Sequence, residues 1–302
     1  MFFYLEWIDK RPSKIFLTEE RPKEINYECS FKIQKKEYNL CGNINPNFLT
    51  FYPSPKLQYT KNQYLLSHLQ KSVRRMDSVK SVKTAKHLID LDLISFLRRL
   101  PIIMLEDVTI HESISVIIWL MIAVSKKFVM KVEIVKWLLG VVYYLSNEVI
   151  QTSYSKEINE HQWDPQLYSN KINIVLYSLR FRKCYGGMKG DMEMIEYYIG
   201  LIINNQLQIA DDKIPIIKIE MDPLLREDWI YQANDFHCNR YILNSIQKYY
   251  PYLHQDYIKK LIWNFSSSIN KRGLILQEQK YVDDWNLIKR TVKRIQKNCI
   301  YY

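Results

Sequence analysis

The run ISVIIWLMIAV at residues 114–124 constrains this chain more than any other feature. A helix that is hydrophobic all round has no face to turn to water, so it must lie in a membrane or in a core. A membrane span needs about 20 apolar residues, and this run is far too short. The neighbouring segments IIMLEDV (102–108) and EIVKWLLGVVYYLSNEVI (133–150) are almost as apolar. The expectation is a set of buried core helices packed on one another or on a partner, with no membrane span.

A chain of 302 residues is long enough to bury such helices. Its 47% hydrophobic and 25% charged content is ordinary globular usage. Only 7 Gly and 10 Pro stand beside 23 Tyr, a bias that suits AT-rich coding and discounts the aromatic total. The start MFFYLEWIDK lacks the basic region of a signal peptide. Cys29, Cys41, Cys184, Cys238 and Cys299 are scattered without a CxxC pair, which fits a reducing compartment and excludes zinc-ribbon spacing. An intracellular location, cytoplasmic or nuclear, follows as the expectation.

The period of the pattern changes near residue 60. Before it, MFFYLEWI, YECSFKIQ, EYNLCGNI and FLTFYP are short aromatic or β-branched segments punctuated by Pro, Asn and Gly, as strands and turns are. The three prolines of NINPNFLTFYPSPK (43–56) mark a linker. After it the spacing is helical. Leu66, Leu69, Val73 and Met76 form one stripe, and Val82, Ala85 and Ile89 form the next behind an Asp77 N-cap. A third helix runs to Arg98 and Arg99, where Pro101 should kink or restart it. Residues 154–170 read as an exposed connection. The fold class expected is mainly α with a small β-rich N-terminal part, divided as 1–60, 61–150 and 151–302.

Net charge is +11, so a polyanion is the first partner to consider. Residues 67–99 concentrate Lys71, Arg74, Arg75, Lys80, Lys83, Lys86, Arg98 and Arg99 against three aspartates. The segment RFRKCYGGMKGDM (180–192) reads as a mobile basic loop carrying Arg180, Arg182 and Lys183. The last helix sets Trp285, Ile288, Val292 and Ile295 on one stripe and Lys289, Arg290, Lys293, Arg294 and Lys297 on the remaining surface. Phosphate contacts need such locally dense cations. An amphipathic basic helix also suits a membrane surface or a helix-binding partner.

Catalytic patterns are sparse. No GxxxxGK[ST] string cradles a phosphate; GGMKGD lacks its Lys-Ser/Thr pair, so no ATPase activity is expected. Asp191, Glu193, Asp211, Asp212 and Lys213 are the nearest set for a two-metal nuclease. In ANDFHCNR (233–240), Asp235, His237 and Cys238 invite a metal reading, but helix neighbours diverge by about 100°, so a capped helix start is the plainer account.

Residues 64–124 also resemble a known domain. Ser72, Arg74 and Asp77 of KSVRRMD, then Ala85 and Leu88, then FLRRLPIIMLEDV with Arg98, Arg99, Leu100, Glu106 and Asp107, are similar to the helical oligomerisation domain of bacterial maintenance-of-genome-stability protein A and its Werner-helicase-interacting relatives, a branch of the clamp-loader ATPases. The resemblance covers about a fifth of the chain. It implies a self-associating helical scaffold in DNA replication or maintenance. The Walker motifs and arginine finger of that family have no counterpart upstream. By spacing, Arg98 and Arg99 are placed to pair with Glu106 and Asp107 as structural ion pairs. The composition also resembles proteins of large cytoplasmic DNA viruses.

Together these readings point to a non-enzymatic nucleic-acid-binding or assembly factor, with DNA as partner, a homo-oligomeric state and no cofactor. The alternatives are a metal-dependent nuclease and a virion component that neutralises packaged nucleic acid.

Overall fold

The computed structural model describes residues 1–55, 61–148, 163–217, 240–266 and 279–299. The described chain is mainly helical, with nine α-helices and a small N-terminal sheet of four strands, the fold class that the change of period implies. The strands are β1 (Phe2–Trp7), β2 (Lys14–Thr18), β3 (Tyr27–Ile33) and β4 (Lys36–Ile44), in spatial order β2-β1-β4-β3. β1 is antiparallel to β2 and parallel to β4, and β3 returns antiparallel to β4. Gln34 (φ 46°) and Lys35 (φ 71°) make the β3–β4 turn, both left-handed as a type I′ turn demands.

Two strand expectations change. KIFLT (14–18) is a strand that its single lysine-led apolar run did not announce, whereas FLTFYP is none. That segment is pinned instead by the bridge from Thr50 to Lys131 and by the Phe51 N–H on the Met130 carbonyl at 2.9 Å. Residues 43–56 are therefore not a free linker as far as Pro53: 43 and 44 belong to β4 and Phe51 is buried.

The helices are α1 (Asn62–Arg74), α2 (Ser78–Asp107), α3 (Ser113–Ser125), α4 (Val132–Leu145), α5 (Asn170–Cys184), α6 (Lys189–Ile203), α7 (Arg240–Tyr249), α8 (Gln255–Leu261) and α9 (Gln279–Cys299). Asp77 caps α2 as expected, accepting the Lys80 N–H at 3.1 Å. The break in α2 falls at Asp92 (φ −157°, ψ 82°) rather than at Pro101, which lies inside the helix. The Asp92 carboxylate takes the Ser95 N–H at 3.0 Å and the Ser95 hydroxyl at 2.6 Å, so it acts as an N-cap in mid-helix. No described helix is long and apolar enough to cross a membrane.

The chain divides by its internal contacts into two compact units, neither continuous in sequence. One comprises Met1–Pro53, Asp92–Leu145 and Ile150–Glu220; the other comprises Ser54–Leu91, Ser146–Val149 and Met221–Tyr302. The packing thus follows a different division from 1–60, 61–150 and 151–302, and the stretch 64–124 contributes to both units.

In the first unit α3 is buried from Ser113 to Ala123 and packs on β1, β4 and α5. The Trp119 indole N–H reaches the carbonyls of Phe3 (3.2 Å) and Cys41 (3.1 Å). Gly42 makes room for it, because a Cβ there would stand 2.9 Å from the Trp119 ring. On α5, Phe181 meets the rings of Phe3, Phe31 and Tyr38 at 5.1 to 5.7 Å. The apolar surface that suggested self-association is covered from within the chain. Trp137, Leu138, Val141 and Val142 of α4 are buried in the same way, so that argument for a homo-oligomer lapses.

In the second unit α7, α8 and α9 enclose a small core of Ile242, Leu243, Ile246, Ile258, Leu261, Ile288, Val292 and Ile295. Full burial of such side chains contributes about 1.5–3 kcal/mol each, which fixes the orientation of α9 within this cluster.

Candidate nucleic-acid interface

The sequence stripe on α9 is reproduced in three dimensions. Ile288, Val292 and Ile295 are buried, Trp285 packs beside them, and its ring stacks on Phe265 at 5.4 Å. Arg290, Lys293, Arg294 and Lys297 are exposed. Their spacing i, i+3, i+4, i+7 places them on one helix face. None of the four makes an ion pair among the described residues. Lys289 is half-buried and donates to the Asn286 side chain at 2.6 Å, so it belongs to the edge of the array. The described residues of 240–299 carry ten Lys or Arg against three Asp.

Residues 67–99 show that equal density in sequence leads elsewhere. Lys71 does not face solvent but is 6% exposed on the inner side of α1. Lys86 is buried too, its Nζ 2.6 Å from the Asp90 carboxylate. Lys80 pairs with Asp77 at 3.0 Å. Arg75 donates to the Ser266 carbonyl, and burial together with neighbouring Arg74 pulls its guanidinium down to about 10, still cationic at neutral pH. Arg74 and Lys83 are half-buried. Lys71, Arg75, Lys80 and Lys86 are thus engaged within the second unit rather than lined up towards solvent.

The expected mobile loop at 180–192 is also structural. It reduces to a turn at 185–188 joining α5 to α6. Arg182 is 3% exposed, with Nε on the Arg98 carbonyl (2.9 Å) and Nη1 on the Gly186 carbonyl (2.8 Å). Arg98 does not pair with Glu106 or Asp107 but donates to the Tyr185 carbonyl at 3.0 Å, while Arg99 stands 3.5 Å from Asp191. Arg98 and Arg182 thus both donate to carbonyls at the C-terminal end of α5, where orphan acceptors and the helix dipole attract cations. Lys183 pairs with Glu196 at 2.7 Å, and Arg180 lies over the Trp163 ring at 4.2 Å, exposed. Of the three, Arg182 is closed to a ligand, whereas Arg180 is exposed and Lys183 is held in a surface pair.

The nuclease candidates separate. Asp191 belongs to the arginine group just described, and Glu193 lies 3.6 Å from Lys189. Asp211, Asp212 and Lys213 line a cavity of about 620 Å³ in the first unit with His111, Glu112, Lys171, Arg11, Phe16 and Trp137. Lys171 Nζ bridges Asp211 (2.6 Å) and Glu112 (3.2 Å). The hydrogen bond raises the lysine and holds the Asp211 carboxyl below its usual range, so both stay charged at neutral pH. His111 Nδ1 accepts the Ser113 N–H at 3.0 Å, which leaves the proton on Nε2 facing the Asp212 carbonyl at 2.9 Å. Burial lowers its pKa, and both nitrogens are occupied. Among the described residues no group of three or more His, Cys, Asp or Glu is placed to hold a metal ion. The string around Asp235, His237 and Cys238 lies outside the described residues.

Comparison with described protein families, curated proteins and solved structures finds no match to this chain.

The sequence reading missed one feature of the α7–α9 cluster. Tyr249, the last residue of α7, and Tyr252, in the turn that follows it, are 58% and 69% exposed. Arg294 of α9 sits over the Tyr249 ring at 4.7 Å. The available signal was four aromatic or proline residues in a row beside a basic helix, masked by the abundance of tyrosine throughout the chain.

Proposed function

We propose that this protein is a non-enzymatic nucleic-acid-binding factor that holds phosphates on the exposed face of α9. The observation that carries the reading is the division of that helix: one stripe buried at 0 to 8% exposure, the other bearing Arg290, Lys293, Arg294 and Lys297 with no acidic partner among the described residues. Burial of the first stripe fixes the helix that carries the second, so four cations are presented together with no backbone left to order at binding. Density of this kind is what counterion release exploits.

Titration of a fluorescent oligonucleotide at several salt concentrations tests it. With duplex DNA, log affinity should fall with log salt by about 0.9 per phosphate contact. Changing Arg290, Lys293, Arg294 and Lys297 to Gln should weaken binding to all sequences alike and flatten the slope by roughly two to four units. A folded quadruple variant with an unchanged slope would overturn the proposal.

A further inference from the structure

The α9 face is short. The eight residues from Arg290 to Lys297 cover about 10 Å of helix axis, enough for only a few phosphates. Charge alone would hold a polyanion weakly at that length. The adjoining turn offers a second kind of contact. Tyr250, half-buried, donates its hydroxyl to the Leu287 carbonyl at 3.0 Å and lies 3.2 Å from the Thr291 hydroxyl, which clamps the turn to α9. Its ring meets Tyr252 edge-on at 6.4 Å. The Leu253 N–H returns to the Tyr250 carbonyl at 3.0 Å, and Gln247 donates to the Leu253 carbonyl at 3.2 Å, closing the turn around Pro251. Tyr249 and Tyr252 are therefore large exposed rings on a tied turn, and Arg294 belongs at once to the Tyr249 ring and to the cation stripe.

Exposed aromatic rings beside a cation track suit one nucleic-acid form. In a duplex the base faces are stacked away and only phosphates are offered. In an unpaired strand the faces are free, and aromatic rings or guanidinium planes stack on them with little regard to sequence. Resting on the nucleic-acid reading of α9, we infer that the ligand is a single strand, DNA or RNA, whose bases stack on Tyr249 and Tyr252 while its phosphates follow Arg290, Lys293, Arg294 and Lys297.

The test compares four labelled probes on the full chain by fluorescence anisotropy: a 20-nucleotide oligo-dT, the matching oligo-U, a 20-base-pair duplex and an abasic deoxyribose-phosphate strand. Polyglutamate serves as an unlabelled competitor. Both single strands should bind more tightly than the duplex, and the abasic strand should fall to the duplex level or below. Tyr249→Ser with Tyr252→Ser should weaken single-strand binding by about ten- to a hundredfold and leave duplex binding and the salt slope unchanged. Tyr249→Phe with Tyr252→Phe should keep wild-type affinity. The abasic probe needs no variant, so a misfolded serine variant would not block the result. Equal binding of oligo-dT, abasic strand and duplex overturns this inference and leaves the charge reading standing, as does a single-strand preference that survives the folded serine variant. Polyglutamate competing as well as oligo-dT overturns it in favour of an acidic protein segment. Binding to none of the probes removes the charge reading, and this inference falls with it.

Discussion

Lys86 and Asp90 form an ion pair inside the second unit, with 2.6 Å between Nζ and the carboxylate and only 2% and 5% of their side chains exposed. The Ser54 N–H also reaches the Asp90 carboxylate, at 3.2 Å. A buried pair adds little over an apolar pair of the same volume, but losing one member leaves an uncompensated charge. Lys86→Met should therefore cost about 3 kcal/mol by urea denaturation, while Lys86→Met with Asp90→Leu should lie closer to wild type. A double variant as unstable as the sum of the singles would show that the charges do not act as a pair.

Acid should weaken the second unit through His68. The residue is fully buried, its Nδ1 is 2.8 Å from the Thr84 hydroxyl, and Nε2 has no hydrogen-bond partner among the described residues. Burial, with Arg75, Lys80 and Lys71 adding repulsion, drives its pKa from 6.5 to about 3. The unfolded chain takes up this proton below about pH 6.5 and the folded chain does not, so stability falls as pH drops from 6.5 towards 3. The slope from one such group is on the order of 1.4 kcal/mol per pH unit. Urea midpoints between pH 7.5 and 4.5 should decline less steeply in His68→Asn than in wild type. Parallel declines would assign the acid sensitivity to other groups.

At the β3–β4 turn, Gln34 and Lys35 hold the left-handed backbone without the Asn or Gly that tolerates it. Gln34→Asn with Lys35→Gly should relieve that strain and raise stability by roughly 0.5 to 1 kcal/mol, even after the added freedom of glycine in the unfolded chain. A lowered melting temperature would mean that the Lys35 side chain contributes more than its backbone costs.

What could be read in the sequence was what local pattern dictates. The all-round apolar run became α3, the change of period near residue 60 separated sheet from helices, Asp77 capped α2, and the α9 stripe of Trp285, Ile288, Val292 and Ile295 turned inward. Features set by distant partners were not legible. Arg182 is buried because carbonyls of Arg98 and of its own helix end await it, and Arg98 is 84 residues away. Lys86 carried a local clue, since Asp90 follows it by one turn, but i, i+4 pairs are usually solvated and this one is not. The break in α2 went to Asp92 because a short carboxylate competes for the next amides, a preference that Pro101 outshone in the sequence. Asp211, Asp212 and Lys213 come beside His111 and Lys171 because Ala210 pairs with the backbone of 110–112 and the following segment passes close to α4, where the absence of a Cβ at Gly140 admits the Pro215 carbonyl.

Burial, rather than charge, should therefore decide which cation serves the ligand, and one pair of variants isolates the point. Arg182→Gln and Lys297→Gln each remove a single positive charge. Arg182 is 3% exposed, and its loss strips donors from the carbonyls of Arg98 and Gly186 and a neighbouring charge from Asp191. Stability should fall by about 2 kcal/mol or more, since each orphaned buried acceptor costs roughly 1–3 kcal/mol. The salt slope of duplex binding should not change, because that guanidinium reaches no phosphate. Lys297 is exposed on α9, so its loss should shift stability by no more than about 0.5 kcal/mol and reduce the slope by about 0.9. Urea denaturation and salt titration of both variants give four numbers. A slope that falls in Arg182→Gln while holding in Lys297→Gln would reverse the assignment and place the phosphate contacts at the α5–α6 turn.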